Sequence, residues 1–156
     1  MDEMRAENLR VLIIDGHLAV GRGLKALVRE MPGVRVVGLC TRGERGLAQA
    51  AETTPDVALV DADLPGLCSA AVIRLLRWRL PRTRVVALGT YAERRQLALG
   101  AGAHAFVLKD AGYEALRSAI VGEASASGHR ASAETVKEMT GAVAGRPVAR
   151  GERVLS

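Results

Sequence analysis

The chain has 156 residues and a net charge of +5, with 49% hydrophobic but only 3% aromatic residues. Such a length holds one ordinary domain plus a tail, and its core must be built from Val, Leu, Ile and Ala. No apolar run approaches the roughly 18 residues that cross a bilayer, Cys40 and Cys68 have neither metal spacing nor a disulfide framework, and the basic excess is shared between the body and residues 128–156 rather than gathered in one nucleic-acid-binding block.

The opening Met1-Asp2-Glu3-Met4-Arg5 is acidic and lacks an apolar stretch, so no secretory signal is expected and a cytoplasmic setting follows. From there apolar runs alternate with helical patterns. Runs at 9–14, 34–40, 56–60, 83–88 and 105–108 read as strands. Between them, Val20, Leu24, Leu27, Val28 and Met31 mark the apolar face of a first helix. Leu47, Ala50 and Ala51 mark a second, and Val72, Leu75, Leu76 and Leu80 a third. Leu97, Ala98 and Ala101 predict a short fourth helix, and Leu116, Ala119 and Ile120 a fifth. Pro32-Gly33, Pro55 and Pro81 punctuate the pattern. Strands that are apolar throughout and alternate with helices predict a parallel, doubly wound α/β sheet of five strands covered on both faces.

The pattern changes after about residue 127. A break at Ser125-Ala126-Ser127-Gly128 precedes a short capped helix expected over Ala131–Met139, and Gly141, Gly145, Pro147 and Gly151 read as a flexible connection.

Three of the predicted strands end in groups that carry chemistry. Val11-Leu12-Ile13-Ile14 runs into Asp15, Val57-Ala58-Leu59-Val60 into Asp61, and Phe106-Val107-Leu108 into Lys109. In an open α/β sheet, reactive groups gather at the carboxyl ends of the strands. Two acids and a Lys there are the parts of an aspartyl-phosphate site. The plainer alternative is a structural ion-pair cluster.

With Asp56 through Gly66 and Ala101 through Asp110, these segments resemble the receiver domain of two-component response regulators of the LuxR type, across roughly residues 8–127. Residues 128–150 are then similar to the receiver-to-effector linker. Arg150-Gly151-Glu152-Arg153-Val154-Leu155 is similar to the opening of a LuxR-type helix-turn-helix domain, of which the chain contains only 151–156. The resemblance implies that Asp61 accepts a phosphoryl group from a histidine kinase. It also implies that Asp15, Asp61 and the Asp63 carbonyl hold Mg²⁺, that Lys109 pairs with Asp61 and then with phosphoryl oxygens, and that Phe106 is the aromatic switch residue.

Two positions depart from the family pattern. Gly16 stands where a second acid usually follows Asp15, which leaves Mg²⁺ short of a carboxylate to offset its dehydration. Gly89 stands where a Thr or Ser hydroxyl usually bonds the phosphoryl group, with Thr90 the nearest substitute. The loop and fourth helix are also short by about two residues when counted back from Lys109. The Asp63 carboxylate is a candidate replacement for the missing acid, against the plainer role of a turn residue.

These features predict a non-enzymatic regulatory receiver of a transcription regulator, atypical, with weak Mg²⁺ binding and little or no phosphorylation. The alternative is a conventional phosphoacceptor that tolerates both glycines. A flavodoxin-like enzyme is disfavoured, because no Gly-rich phosphate loop follows the first strand. A histidine kinase or a small-molecule ligand supplies the input, DNA is met through the effector, and no membrane partner is expected. A homodimer is expected to cross-pair Arg22 and Arg29 of the first helix with Glu114 and Glu123 at the fifth.

Overall fold

The computed structural model describes residues 9–65 and 67–122. Strand β1 is Leu9–Ile14, helix α1 Leu18–Arg29, β2 Val34–Cys40, α2 Gly43–Thr53, β3 Val57–Asp61, α3 Ser69–Arg79 and β4 Arg84–Gly89. A 3₁₀ turn, Ala92–Arg94, then leads into α4 (Arg95–Gly100), followed by β5 (Ala105–Leu108) and α5 (Tyr113–Val121). The strands form one parallel sheet in the order β2-β1-β3-β4-β5. This is the five-stranded doubly wound architecture expected from the alternation of apolar runs.

Burial follows position in the sheet. Central β3 is buried at every residue, whereas edge strand β2 is only half-buried. One core, on the side of α2, α3 and α4, joins Leu12, Ile14, Val60, Val72, Ile73 and Leu76. The other joins Val11, Ile13, Leu24, Val28, Leu116 and Ile120 beneath α1 and α5. Alternate residues of each strand therefore feed opposite layers, as the two-residue period of a strand requires.

Strand ends differ slightly from the sequence reading. β3 and β4 each run one residue later than predicted, so Asp61 and Gly89 are the last strand residues. The cause lies at the other end. Asp56 bonds Arg10 through both its backbone N–H and its carboxylate, and the Thr83 hydroxyl donates to Pro55 O. Both residues thereby act as strand-entry clamps.

The helix faces also need correction. Val20 and Leu97 are 38% and 54% exposed rather than in the core, and Ala51 is exposed. On α1 the buried place passes to Gly21, which lies close against Leu39. On α2, Gly43, Gly46 and Ala50 face inward, and Gly46 packs directly on Ile14, leaving no room for a side chain. The sequence pattern counted large apolar residues and missed a glycine-mediated approach of helix to sheet. The short α4, at six residues, is as expected.

The linker helix expected in 128–150, the effector opening at 151–156 and Glu123 lie outside the described residues.

Candidate functional site

β1 lies between β2 and β3, so the chain winds away from it in both directions, and a crevice opens at the carboxyl ends of β1 and β3. The pairing of Ile14 with Val60 brings Asp15 and Asp61 side by side at that crevice. β5 pairs with β4, and the Lys109 N–H bonds Gly89 O at 2.8 Å. Lys109 can therefore reach back across the top of the sheet.

The three expected groups converge. Lys109 Nζ is 2.9 Å from Asp15 Oδ2 and 3.2 Å from Asp61 Oδ1. Both carboxylates are 1% exposed, and the ammonium between them offsets their mutual repulsion. Backbone donors complete the shell. Gly16 N–H donates to Asp61 Oδ2 at 3.1 Å, Asp63 N–H to Asp61 Oδ1 at 2.9 Å, and His17 N–H to Asp15 Oδ1 at 2.9 Å. Every Asp61 oxygen thus has a donor, and these charge-assisted bonds fix its orientation.

Ser69 is a supporting residue that the sequence reading missed. Its hydroxyl donates to Asp61 O at 2.7 Å and accepts from Leu64 N–H at 3.1 Å, pinning the Asp61–Pro65 turn to the start of α3. The available signal was a Ser four residues past the Asp-containing turn and three before Val72, the first apolar marker of the predicted third helix.

The Asp63 carboxylate does not join the cluster. It pairs with Arg94 Nε at 2.8 Å, so the suggested replacement of the missing acid by this side chain is corrected. Asp63 instead ties the β3–α3 turn to the 3₁₀ turn before α4. Among the described residues, the side chains able to meet around a cation are Asp15, Asp61 and the exposed His17, with ligand atoms within 4.8 Å of one another.

The two anomalous glycines are both filled from outside. A Cβ at residue 16 would overlap the Pro65 ring. A Cβ at residue 89 would stand 2.6 Å from Phe106 Cζ and 2.8 Å from its Cε1. Phe106 is therefore turned inward and is 8% exposed. The Arg95 guanidinium covers its ring at 5.2 Å from the centroid, a cation–π distance. Thr90, the nearest hydroxyl, lies just past the strand end, is exposed, and makes no side-chain hydrogen bond among the described residues.

Outside the crevice, Arg22, Arg29 and Glu114 are exposed on α1 and α5, two helices that share one layer. Burial pushes the Cys40 thiol above its ordinary value, with Arg45 acting weakly in the opposite sense, so this thiol is a poor nucleophile at neutral pH.

Comparison with known proteins gives a consistent result. The response regulator receiver domain family matches residues 11–121. The transcriptional regulatory protein MctR of Rhizobium johnstonii is 34% identical over 114 residues, which are 72% of this chain and 53% of that protein. The nitrate/nitrite response regulator protein NarL of Escherichia coli is 32% identical over 116 residues, 73% of this chain and 54% of that protein. A protein-glutamate methylesterase/protein-glutamine glutaminase of Myxococcus xanthus is 32% identical over 151 residues, 89% of this chain and 43% of that protein. The chain spans about half the length of the curated relatives it matches. Among solved structures, the NarL signal receiver domain of Mycobacterium tuberculosis superposes with a TM-score of 0.67 at 29% identity, covering 74% of this chain and 98% of that one. A LuxR-family two-component response regulator from Aurantimonas superposes with a TM-score of 0.69 at 25% identity, covering 85% and 99%.

Proposed function

The chain belongs to the response regulator receiver domain family, and from that premise we propose that it is the regulatory receiver of a transcription regulator whose site works with little or no phosphorylation of Asp61. The observation that carries this reading is the filling of both anomalous positions. Pro65 occupies the space of a second acid beside Asp15, and Phe106 occupies the space of a hydroxyl side chain at residue 89. Phosphoryl transfer to a carboxylate depends on charge neutralisation and on donors to the equatorial oxygens. Each filled position removes one such contact. The Lys109 bridge between Asp15 and Asp61 then serves as a standing ion-pair cluster.

A Mg²⁺ ion, when bound, would neutralise charge on a transferring group, and Asp15 and Asp61 are the carboxylates that would hold it. This donor set fits the ion poorly, because Mg²⁺ needs near-octahedral oxygen ligation. The Asp63 carboxylate is engaged with Arg94, which leaves the Asp63 backbone carbonyl and the His17 imidazole beside the two acids. The decisive experiment is incubation with acetyl phosphate and Mg²⁺ followed by intact-mass analysis. The expected result is little or no phospho-adduct. Rapid, stoichiometric phosphorylation that Asp61→Asn abolishes would establish the conventional phosphoacceptor instead.

MctR, a transcriptional regulatory protein, and NarL, a response regulator, support a gene-regulating, DNA-binding effector acting beyond the receiver, with the receiver itself not an enzyme. A histidine kinase or a small molecule provides the input, and the protein works in the cytoplasm. No described helix is long and apolar enough to cross a membrane. A homodimer through α1 and α5 pairs Arg22 and Arg29 with Glu114 and Glu123, supported by the exposure of Arg22, Arg29, Glu114 and the apolar Leu18 on adjacent helices. Sedimentation of the wild type and of an Arg22→Glu, Arg29→Glu double variant tests it. The variant should dissociate, and a dimer indifferent to charge reversal would refute this face.

A further inference from the structure

Helix α3 carries a surface unrelated to the carboxylate site. It begins at Ser69, beside Asp61, and runs back along the sheet to end at Arg79, near the start of β4. Its last turn therefore lies at the opposite end of the sheet from the crevice. There Trp78, the only Trp of the chain, is 77% exposed. A large indole left in water on a chain this poor in aromatics is a costly arrangement unless something covers it.

The chain around Trp78 is cationic in sequence. From residue 64 to residue 92 the chain has five Arg and no Asp or Glu. Two of the five are committed inward: Arg77 donates to Gly102 O, and Arg84 to Ala119 O at the end of α5. The other three, Arg74, Arg79 and Arg82, are exposed, and none is in an ion pair among the described residues. Arg74 precedes Trp78 by four residues, which puts the guanidinium and the indole on one helical stripe. Half-buried Leu75 lies one turn before Trp78 on the same side. The result is an apolar ridge, Leu75 and Trp78, flanked by free guanidiniums. Trp and Arg are the residue types most enriched where protein interfaces concentrate their binding energy.

We propose that this α3 ridge is a docking surface for an acidic amphipathic helix of a partner protein. An apolar anchor would cover Trp78 and Leu75 while Glu or Asp side chains meet Arg74, Arg79 and Arg82. The charge complement selects an acidic partner. The scale selects a peptide element: the ridge occupies about two turns of one helix, or roughly 11 Å of its axis. Single-stranded nucleic acid is the weaker match, because it is held by several aromatics stacking successive bases. Trp78 stands alone here, and Tyr91 lies beyond the carboxyl end of β4, at the other end of the sheet.

The sole Trp is its own reporter. The full chain is titrated with three probes: a synthetic helical peptide with Leu at i, i+3, i+4 and i+7 and Glu elsewhere, polyglutamate, and a single-stranded oligothymidylate. The Leu/Glu peptide should give a saturable blue shift of Trp78 emission. Polyglutamate should give a weaker, salt-sensitive change without the shift. Arg74→Glu with Arg79→Glu should weaken peptide affinity by about tenfold or more, as removal of charged anchors does. Trp78→Ala should abolish binding measured by calorimetry. These positions are exposed, so the variants should keep the wild-type circular dichroism. No saturable response of the wild type to the Leu/Glu peptide, or tighter binding of oligothymidylate than of the peptide, would overturn the proposal.

Discussion

Gly89 and Phe106 compete for one volume: the ring of Phe106 stands where any side chain at residue 89 would have to begin, 2.6 Å from the position of its Cβ. The two residues lie on neighbouring strands, with Ala87 opposite Phe106 in the ladder. The inward ring therefore depends on the missing side chain. The first consequence concerns Gly89→Thr. Inserting a side chain into a filled core typically costs about 1–3 kcal/mol, so urea denaturation should register a loss of that order. The same substitution in a Phe106→Ala background should cost distinctly less, because the competing ring is gone. Equal costs in the two backgrounds would dissociate the pair.

Restoring an acid at residue 16 should fail for a similar reason. The Pro65 ring is held by its own backbone and overlaps the Cβ that Gly16→Asp would add. The single variant is expected to gain little Mg²⁺ affinity by isothermal titration. Combined with Pro65→Ala, which clears the space, it should bind Mg²⁺ clearly more tightly. A large gain from Gly16→Asp alone would mean that the turn yields easily.

Lys109 links two fully buried carboxylates. Removing one partner of such a cluster leaves buried charge uncompensated, a loss of about 3 kcal/mol or more. Lys109→Met should accordingly lower stability by that order in chemical denaturation. Asp61→Asn added to Lys109→Met should recover part of the loss, since one of the two stranded charges is then neutral. Further destabilisation by the second change would contradict the ion-pair reading.

His104 gives the fold a mild pH dependence. Its Nδ1 accepts the Val85 N–H at 2.9 Å. Burial first, then the nearby Arg77 and Arg84 guanidiniums, push the imidazole below its ordinary value of 6.5. The unfolded chain thus takes up this proton before the folded chain does. The contribution to stability is present above pH 6.5 and is lost as pH falls from there through the lowered folded value. The residue as a whole is largely exposed despite its covered Nδ1 edge, so solvent screening should keep the effect small. Urea midpoints for wild type and His104→Gln between pH 8 and pH 5 should converge on the acid side, with the variant lacking this component of the slope.

The layer architecture and the three converging groups were legible in the amino-acid pattern. Both follow from local rules: an apolar run with β-branched residues forms a strand, alternation with helices makes the strands parallel, and parallel strands carry their terminal residues to one end of the sheet. Asp15, Asp61 and Lys109 could be placed together on those grounds alone. What fills the gaps depends on long-range packing. Pro65 against Gly16, Phe106 against Gly89 and Arg94 on Asp63 are contacts between residues from different crossover units, set by how closely neighbouring strands and loops pack. Periodicity assigns a residue to a face but carries no information about which distant side chain meets it there. The same limit explains the helices, where α2 approaches the sheet through glycines that no count of apolar residues could register, and it explains why Trp78, on a helix read only for its buried stripe, emerged as the most exposed large apolar residue described.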